Sequence, residues 1–221
     1  MQDAFLEPQN TLIVGMQRSG KTSASLRLML NSPGTVCNFI FDEDSQCARR
    51  LQITPCYTLK ECEAALAGRW VCFNPDMMFP AGPADKNILA PKRRAFCWFC
   101  AWVYEVIQRG NGRKLVSLPE IWQFCTPDSI PAEFSVLCQK GAKFGIHLIM
   151  DSQRPDMVND SVLGASTELI CFKLLSPDAL AAVKKLGADP LEVSSLPLGS
   201  FIAINRLRPG RSSGKLSGFG A

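Results

Sequence analysis

Gly15-Met16-Gln17-Arg18-Ser19-Gly20-Lys21-Thr22, followed by Ser23, is the stretch from which the rest of the chain can be read. It fits the pattern G-x-x-x-x-G-K-[ST]. Upstream, Thr11 to Val14 is a short apolar run rich in β-branched residues, which predicts a strand. Downstream, Ser23 to Asn31 predicts a helix with Leu26, Leu28, Met29 and Leu30 on its buried side. Strand, glycine-rich loop and helix together suit a phosphate-binding loop. The glycines let the backbone curl so that successive N–H groups converge on phosphate oxygens. The helix start adds its positive dipole end. Lys21 can reach β- and γ-phosphates, and the Thr22 hydroxyl can ligate Mg2+. The expected cofactors are therefore ATP and Mg2+.

The chain has 221 residues, which suits one α/β domain. Its hydrophobic content of 47% predicts a large core. The formal net charge of +4 is mildly basic, compatible with a polyanionic partner without requiring one. Ten cysteines are scattered singly through apolar segments, and no signal peptide is apparent, so reduced, buried thiols in a cytosolic setting are expected. Cys97-x-x-Cys100 is the one CxxC pair, and His147 is the only histidine, so no zinc ligand set is apparent. The longest apolar stretch, Ala95 to Ile107, falls short of a membrane span of about 20 residues. It contains Glu105 and reads as a core helix from Ala95 to Gln108.

Strand and helix signals alternate. Strands are predicted at Val36–Phe41, Trp70–Phe73, Lys114–Leu118, Ile146–Met150, Leu169–Leu174 and Ser200–Ile204. Helices are predicted at Leu59–Ala67, Ile130–Gly141 and Asp178–Leu186, and a proline-punctuated loop at Asn74–Lys92. This alternation predicts a mostly parallel central sheet with helices on both faces, and a site at the carboxyl ends of the strands. The domain is expected over residues 1–206, with a flexible Gly/Ser/basic tail at 207–221.

Two apolar runs end in carboxylates, and one of them is needed as a base that orients water. Phe39-Ile40-Phe41 leads to Asp42-Glu43, and Leu115-Val116-Ser117-Leu118 leads to Pro119-Glu120. Locally, the first looks the better Walker B run. By position the second is preferable: P-loop ATPases with a catalytic glutamate carry a strand inserted between the P-loop strand and the Walker B strand, and the first run is expected to be that insertion. Glu120 is thus the candidate base. Asp42 is a candidate supporting group behind the metal or a residue facing a neighbouring subunit, with a turn cap as the plain alternative.

Gly141-Ala142-Lys143-Phe144-Gly145-Ile146 and, at the end of the same run, Ser152-Gln153-Arg154-Pro155 resemble the "GRKYGI…[ST]QRP" segment of the HerA/FtsK superfamily of DNA-pumping ATPases. The order of P-loop, acidic strand end followed by Ile121-Trp122-Gln123-Phe124, SQRP strand end and Leu196-Pro197-Leu198-Gly199-Ser200-Phe201 is similar too, so the resemblance spans about Thr11 to Arg206. It implies a P-loop NTPase of the ASCE, RecA/HerA-FtsK-like kind. It implies that Gln153 senses the γ-phosphate and that Arg154 is an arginine finger offered to a neighbouring subunit. One departure stands out. The family's acidic pair is here Pro119-Glu120, so the Mg2+-organising aspartate is missing, and metal positioning falls to Thr22, water and the candidate Asp42.

Among members of that superfamily, a stripped-down ATPase domain resembles the genome-packaging ATPases of tailless icosahedral phages and viruses with internal membranes. The expectation is an oligomeric ring, hexameric by that resemblance, that drives double-stranded DNA into a preformed capsid. Its partners would be DNA and the capsid or membrane proteins of a packaging vertex. It would act in the host cytoplasm during assembly and remain with the virion. Candidate phosphate-backbone contacts are Lys92, Arg93 and Arg94, and the set Arg206, Arg208, Arg211 and Lys215. The alternatives are a bacterial or plasmid DNA-transfer ATPase of the same superfamily, and a nucleotide-binding assembly switch with little turnover.

Overall fold

The computed structural model describes residues 10–82, 85, 87, 89–208 and 210–216. Its centre is an eight-stranded sheet of order β3-β2-β4-β5-β1-β6-β7-β8. β1 (Thr11–Val14), β2 (Thr35–Phe41), β3 (Trp70–Phe73), β4 (Arg113–Leu118), β5 (Ile146–Ser152) and β6 (Glu168–Phe172) pair in parallel. β7 (Ser200–Asn205) and β8 (Gly210–Lys215) continue antiparallel from β6. This is the expected α/β class. The parallel strands are buried on both faces and therefore read as continuous apolar runs.

Alternate residues divide between two cores. Leu12 and Val14, Phe39 and Phe41, Val116 and Leu118, and Leu148 and Met150 face one side. There they meet α4 (Leu89–Ile107), α5 (Ala132–Lys140), α7 (Pro177–Lys185) and α8 (Pro190–Ser195). Phe41, Phe96, Phe99 and Phe124 pack there with ring centroids 4.2–5.7 Å apart. Each fully buried aromatic contributes about 1.5–3 kcal/mol. Ile13, Ile40, Leu115, Ile149 and Ile170 face the other side, against α1 (Lys21–Leu30) and α2 (Gln46–Leu51). α3 (Leu59–Ala65) starts at a capping box formed by Thr58 and Glu61.

Four differences from the sequence reading have physical causes. First, α4 begins at Leu89, inside the stretch read as loop. Pro91 falls in its first turn, where a missing N–H costs nothing, and the Asn87 side chain accepts the Leu89 N–H at 2.9 Å. Lys92, Arg93 and Arg94 are therefore helical. Second, the strand between β1 and β4 is β5, and the Phe39–Phe41 run lies beyond β4. Third, Gly210–Lys215, read as tail, forms β8. This segment has no apolar pattern and is ordered by backbone pairing to β7, with the Phe201 ring lying over Gly214. Within the proposed tail, Pro209 and residues 217–221 lie outside the described residues. Fourth, α2, α6 (Asp160–Ala165) and α8 have six residues each, too short for a periodic signal. No helix among the described residues is long and apolar enough to cross a membrane.

Candidate nucleotide site

β1, β4, β5 and β6 all end at the same edge of the sheet, and the candidate residues sit on the loops that leave it. Val14 passes into the glycine-rich loop, which is pinned at its start by Gly15 N–H to Ser152 O (3.3 Å) and Met16 N–H to Lys173 O (2.9 Å). Arg18 has φ 60° and Gly20 φ 116°, two left-handed positions close together, the kind of backbone from which anion nests are built. Gly15 is required sterically. A Cβ there would stand 2.5 Å from Ser19 Oγ and 2.6 Å from Phe172 Cβ. α1 then starts at Lys21 with no side-chain cap and no acidic residue in its first turn. Its first N–H groups have no partner within the helix. Ser19 Oγ is buried without a hydrogen-bond partner. An orphaned hydroxyl, an uncapped helix start and a nest are the donor set that phosphate oxygens satisfy, so the residues fit a nucleotide.

Lys21 is buried, and its Nζ donates to Gly15 O (3.1 Å) and Met16 O (3.3 Å). It stands 3.8 Å from Glu120 Oε1. Glu120 leaves β4 in a left-handed conformation, φ 48° and ψ 46°, unusual for a side chain of its kind and of the sort found at functional sites. Its carboxylate is fixed by three donors. Gln153 Nε2 reaches Oε1 at 2.6 Å, and Trp122 Nε1 and Gln153 N–H reach Oε2 at 2.7 and 3.3 Å. The structure thus brings Lys21, Glu120 and Gln153, far apart in sequence, into one cluster.

Arg154 is exposed and folds back in a fork onto Asp156, with Nη2 2.9 Å from Oδ2. Arg154 follows the end of β5, at the edge that carries the loop. Asp42 is placed differently from its candidate role beside a metal. Its two oxygens accept the N–H groups of Cys47 (3.0 Å) and Ala48 (2.8 Å), which makes it the cap of α2. α2 in turn touches the P-loop helix through Arg50 Nη1 to Ser23 Oγ at 2.9 Å.

One residue at this edge escaped the sequence reading. Asp151, the penultimate residue of β5, is buried, and its Oδ1 accepts the Glu120 N–H at 3.2 Å. Burial pushes its carboxyl up to about 7; the Glu120 charge adds to the rise and Lys21 opposes it. The signal was present, since Ile146 to Met150 is a third apolar run ending in a carboxylate. Only the register shows where it points.

The basic candidates are mostly engaged. Lys92 pairs with Glu43 (2.6 Å), Arg94 with Asp85 (2.7 Å) and Arg211 with Glu192. Arg206 donates to the carbonyls of Leu163 and Ser166, which ties the end of β7 to α6. Arg93 and Lys215 are exposed, as is Arg208, whose backbone N–H donates to Asn205 Oδ1 at 2.9 Å. Of the CxxC pair, burial pushes the Cys97 thiol up to about 11 and Cys100 well above its usual range. His147 lies at the opposite, amino end of the sheet.

No protein-family model matches the sequence, and no curated protein matches it significantly. Solved structures do match. The DNA-packaging ATPase B204 from Sulfolobus Turreted Icosahedral Virus superposes with a TM-score of 0.68 at 16% identity, over 95% of this chain and 98% of that one. The fold is that of the P-loop NTPases. The genome packaging NTPase B204 from Sulfolobus turreted icosahedral virus 2, in complex with AMP, matches at TM-score 0.65 and 14% identity over the same shares. VirB4 of Thermoanaerobacter pseudethanolicus reaches 0.70 at 12% identity, over 95% of this chain and 89% of that one. The resemblance to HerA/FtsK-type ATPases read from the motifs is thus matched in three dimensions, at identities that speak for fold.

Proposed function

We propose that this chain is an ATPase that moves double-stranded DNA, acting as a ring that packages a viral genome into a preformed capsid. The observation that carries the ATPase reading is the carboxylate of Glu120, held by Gln153 and Trp122 and 3.8 Å from Lys21. A carboxylate beside the γ-phosphate lysine is placed to orient a water for in-line attack. The Gly15–Ser23 loop would bind the phosphates, and Lys21 would turn from its own loop carbonyls to the β- and γ-phosphates. Gln153, already bonded to Glu120, would report the γ-phosphate to it. Thr22 would hold the Mg2+, which supplies charge neutralisation at the β- and γ-oxygens when bound. Arg154, exposed at the same edge, would exchange Asp156 for the phosphates of a neighbouring subunit, making hydrolysis depend on assembly.

The packaging reading is supported by the fold likeness to the two B204 proteins, whose chains are covered at 98%. In this reading the protein works at a packaging vertex in the host cytoplasm and stays with the virion. A second reading, a bacterial or plasmid DNA-transfer ATPase, is supported by the likeness to VirB4 and to the plasmid coupling protein TrwB, at TM-scores of 0.70 and 0.56. A nucleotide-dependent assembly switch is supported by Pro119 where an aspartate is expected. Triplex displacement on linear double-stranded DNA tests the motor. ATP-dependent displacement, lost in Lys21→Ala, is expected. Nucleotide binding without displacement, in the presence of vertex proteins as well, would contradict it.

A further inference from the structure

Where β4 lacks an acidic residue, the adjoining strand supplies one at the same level and on the same face. The β4–β5 register pairs Ser117 with Ile149 and Leu118 with Met150, so one step further sets Pro119 across from Asp151. On its other flank Asp151 pairs with Ile13, two residues before Gly15. Side chains alternate along a strand, so Asp151 shares a face with Ile149, which packs with Ala24 and Leu26 of the P-loop helix. Ser117, on that same face of β4, hydrogen-bonds Ser25 of α1 at 2.9 Å. Asp151 therefore stands between the P-loop strand and the strand that ends in Glu120, under the start of α1. It is 4% exposed, and its hydrogen bond to the Glu120 N–H ties it to the candidate base. Burying an ionisable group on an apolar strand face costs stability, and one backbone hydrogen bond offsets only part of that cost; buried carboxylates of this kind cluster at functional sites.

We propose that Asp151 replaces the aspartate missing at Pro119: it positions the Mg2+ of the bound nucleotide through a coordinated water and fixes the Glu120 backbone beside it. The metal-organising carboxylate has moved sideways by one strand, from β4 to β5, with its height and facing kept. This rests on the ATPase reading above. Thr22, on α1, and Asp151, on β5, would hold the metal between them. Asp42 remains the cap of α2.

The test is a Mg2+ titration of fluorescent ATPγS binding, with purified wild-type protein and Asp151→Asn, beside a binding measurement in EDTA. Asp151→Asn is expected to need about 10–100-fold more Mg2+ for half-maximal gain in affinity, the usual effect of losing a carboxylate that supports a metal's ligands. Affinity in EDTA should stay unchanged. Pro119→Asp added to Asp151→Asn should bring the Mg2+ midpoint back toward wild type, which a merely structural role would not do. A wild-type Mg2+ midpoint in Asp151→Asn, or a double variant without recovery, overturns the assignment and leaves the ATPase reading standing. A wild-type protein that binds no ATPγS overturns both. If Asp151→Asn does not fold, Asp151→Glu keeps the charge and moves it by one methylene. A shifted midpoint then supports the assignment, and an unchanged one overturns it.

Discussion

At the residue scale, Glu120 is held in one orientation by its neighbours. Three hydrogen bonds fix both of its oxygens, and a left-handed backbone aims it toward Lys21. In the ATPase reading this carboxylate is the base, and Glu120→Gln should remove that role while keeping shape. Turnover is expected to fall by about 10²–10⁴, the usual contribution of a positioned base. ATPγS affinity, followed by fluorescence, should change little. Arg154 has the opposite character: it is exposed, and its guanidinium pairs with Asp156, two residues on. In the ring reading, Arg154→Ala should leave nucleotide binding intact and cut hydrolysis by about 10³–10⁵. Hydrolysis at the wild-type rate would exclude it as a finger in trans. Lys21 and Glu120 could be singled out from the P-loop pattern and a strand-end carboxylate, whereas Gln153 was singled out only by the resemblance of its segment to a known family. Asp151 was not, because its significance lies in pairing with β1 and β4, and pairing is a property of the sheet.

At the element scale, the loop between β1 and α1 is shaped as much by Phe172 as by its own glycines. Gly15→Ala would drive a methyl into Ser19 and Phe172, so it should lower the melting temperature and weaken nucleotide binding together. Asp42→Asn probes a different element. It weakens the cap of α2 and should destabilise the fold by about 1 kcal/mol, read in urea melts, with the Mg2+ dependence of nucleotide binding unchanged. Parallel strands were easy to read, because burial on both faces leaves uninterrupted apolar runs. The start of α4 was not, because Pro91 signals a break in general and a first turn only in context. β8 carried no signal at all; its order comes from the backbone of β7.

At the scale of the whole molecule, the sheet separates two chemistries. Its carboxyl edge carries the candidate site, and its amino edge carries a polar cluster of Thr11, His147, Arg113 and Glu168. Thr11 Oγ1 donates to Glu168 and meets His147 Nε2 at 2.8 Å, while Arg113 Nη2 faces Nδ1 at 3.1 Å. The ring is therefore neutral, with its proton on Nε2. Burial, and then the Arg113 charge, pull its pKa down to about 4, from 6.5 in the unfolded chain. The unfolded state binds the extra proton between those values, so this group's contribution to stability falls as pH drops from about 6.5 to about 4. Urea melts at pH 7.5 and pH 5 should show a smaller pH-dependent loss in His147→Gln than in wild type. An equal loss in both would assign the acid sensitivity elsewhere.

The central claim is that Glu120 is the base of a DNA-driven ATPase. Steady-state ATP hydrolysis by the purified chain, with and without linear double-stranded DNA and beside Glu120→Gln, tests it most directly. Turnover that DNA stimulates and Glu120→Gln abolishes is the predicted result. DNA-stimulated turnover that survives Glu120→Gln would contradict it.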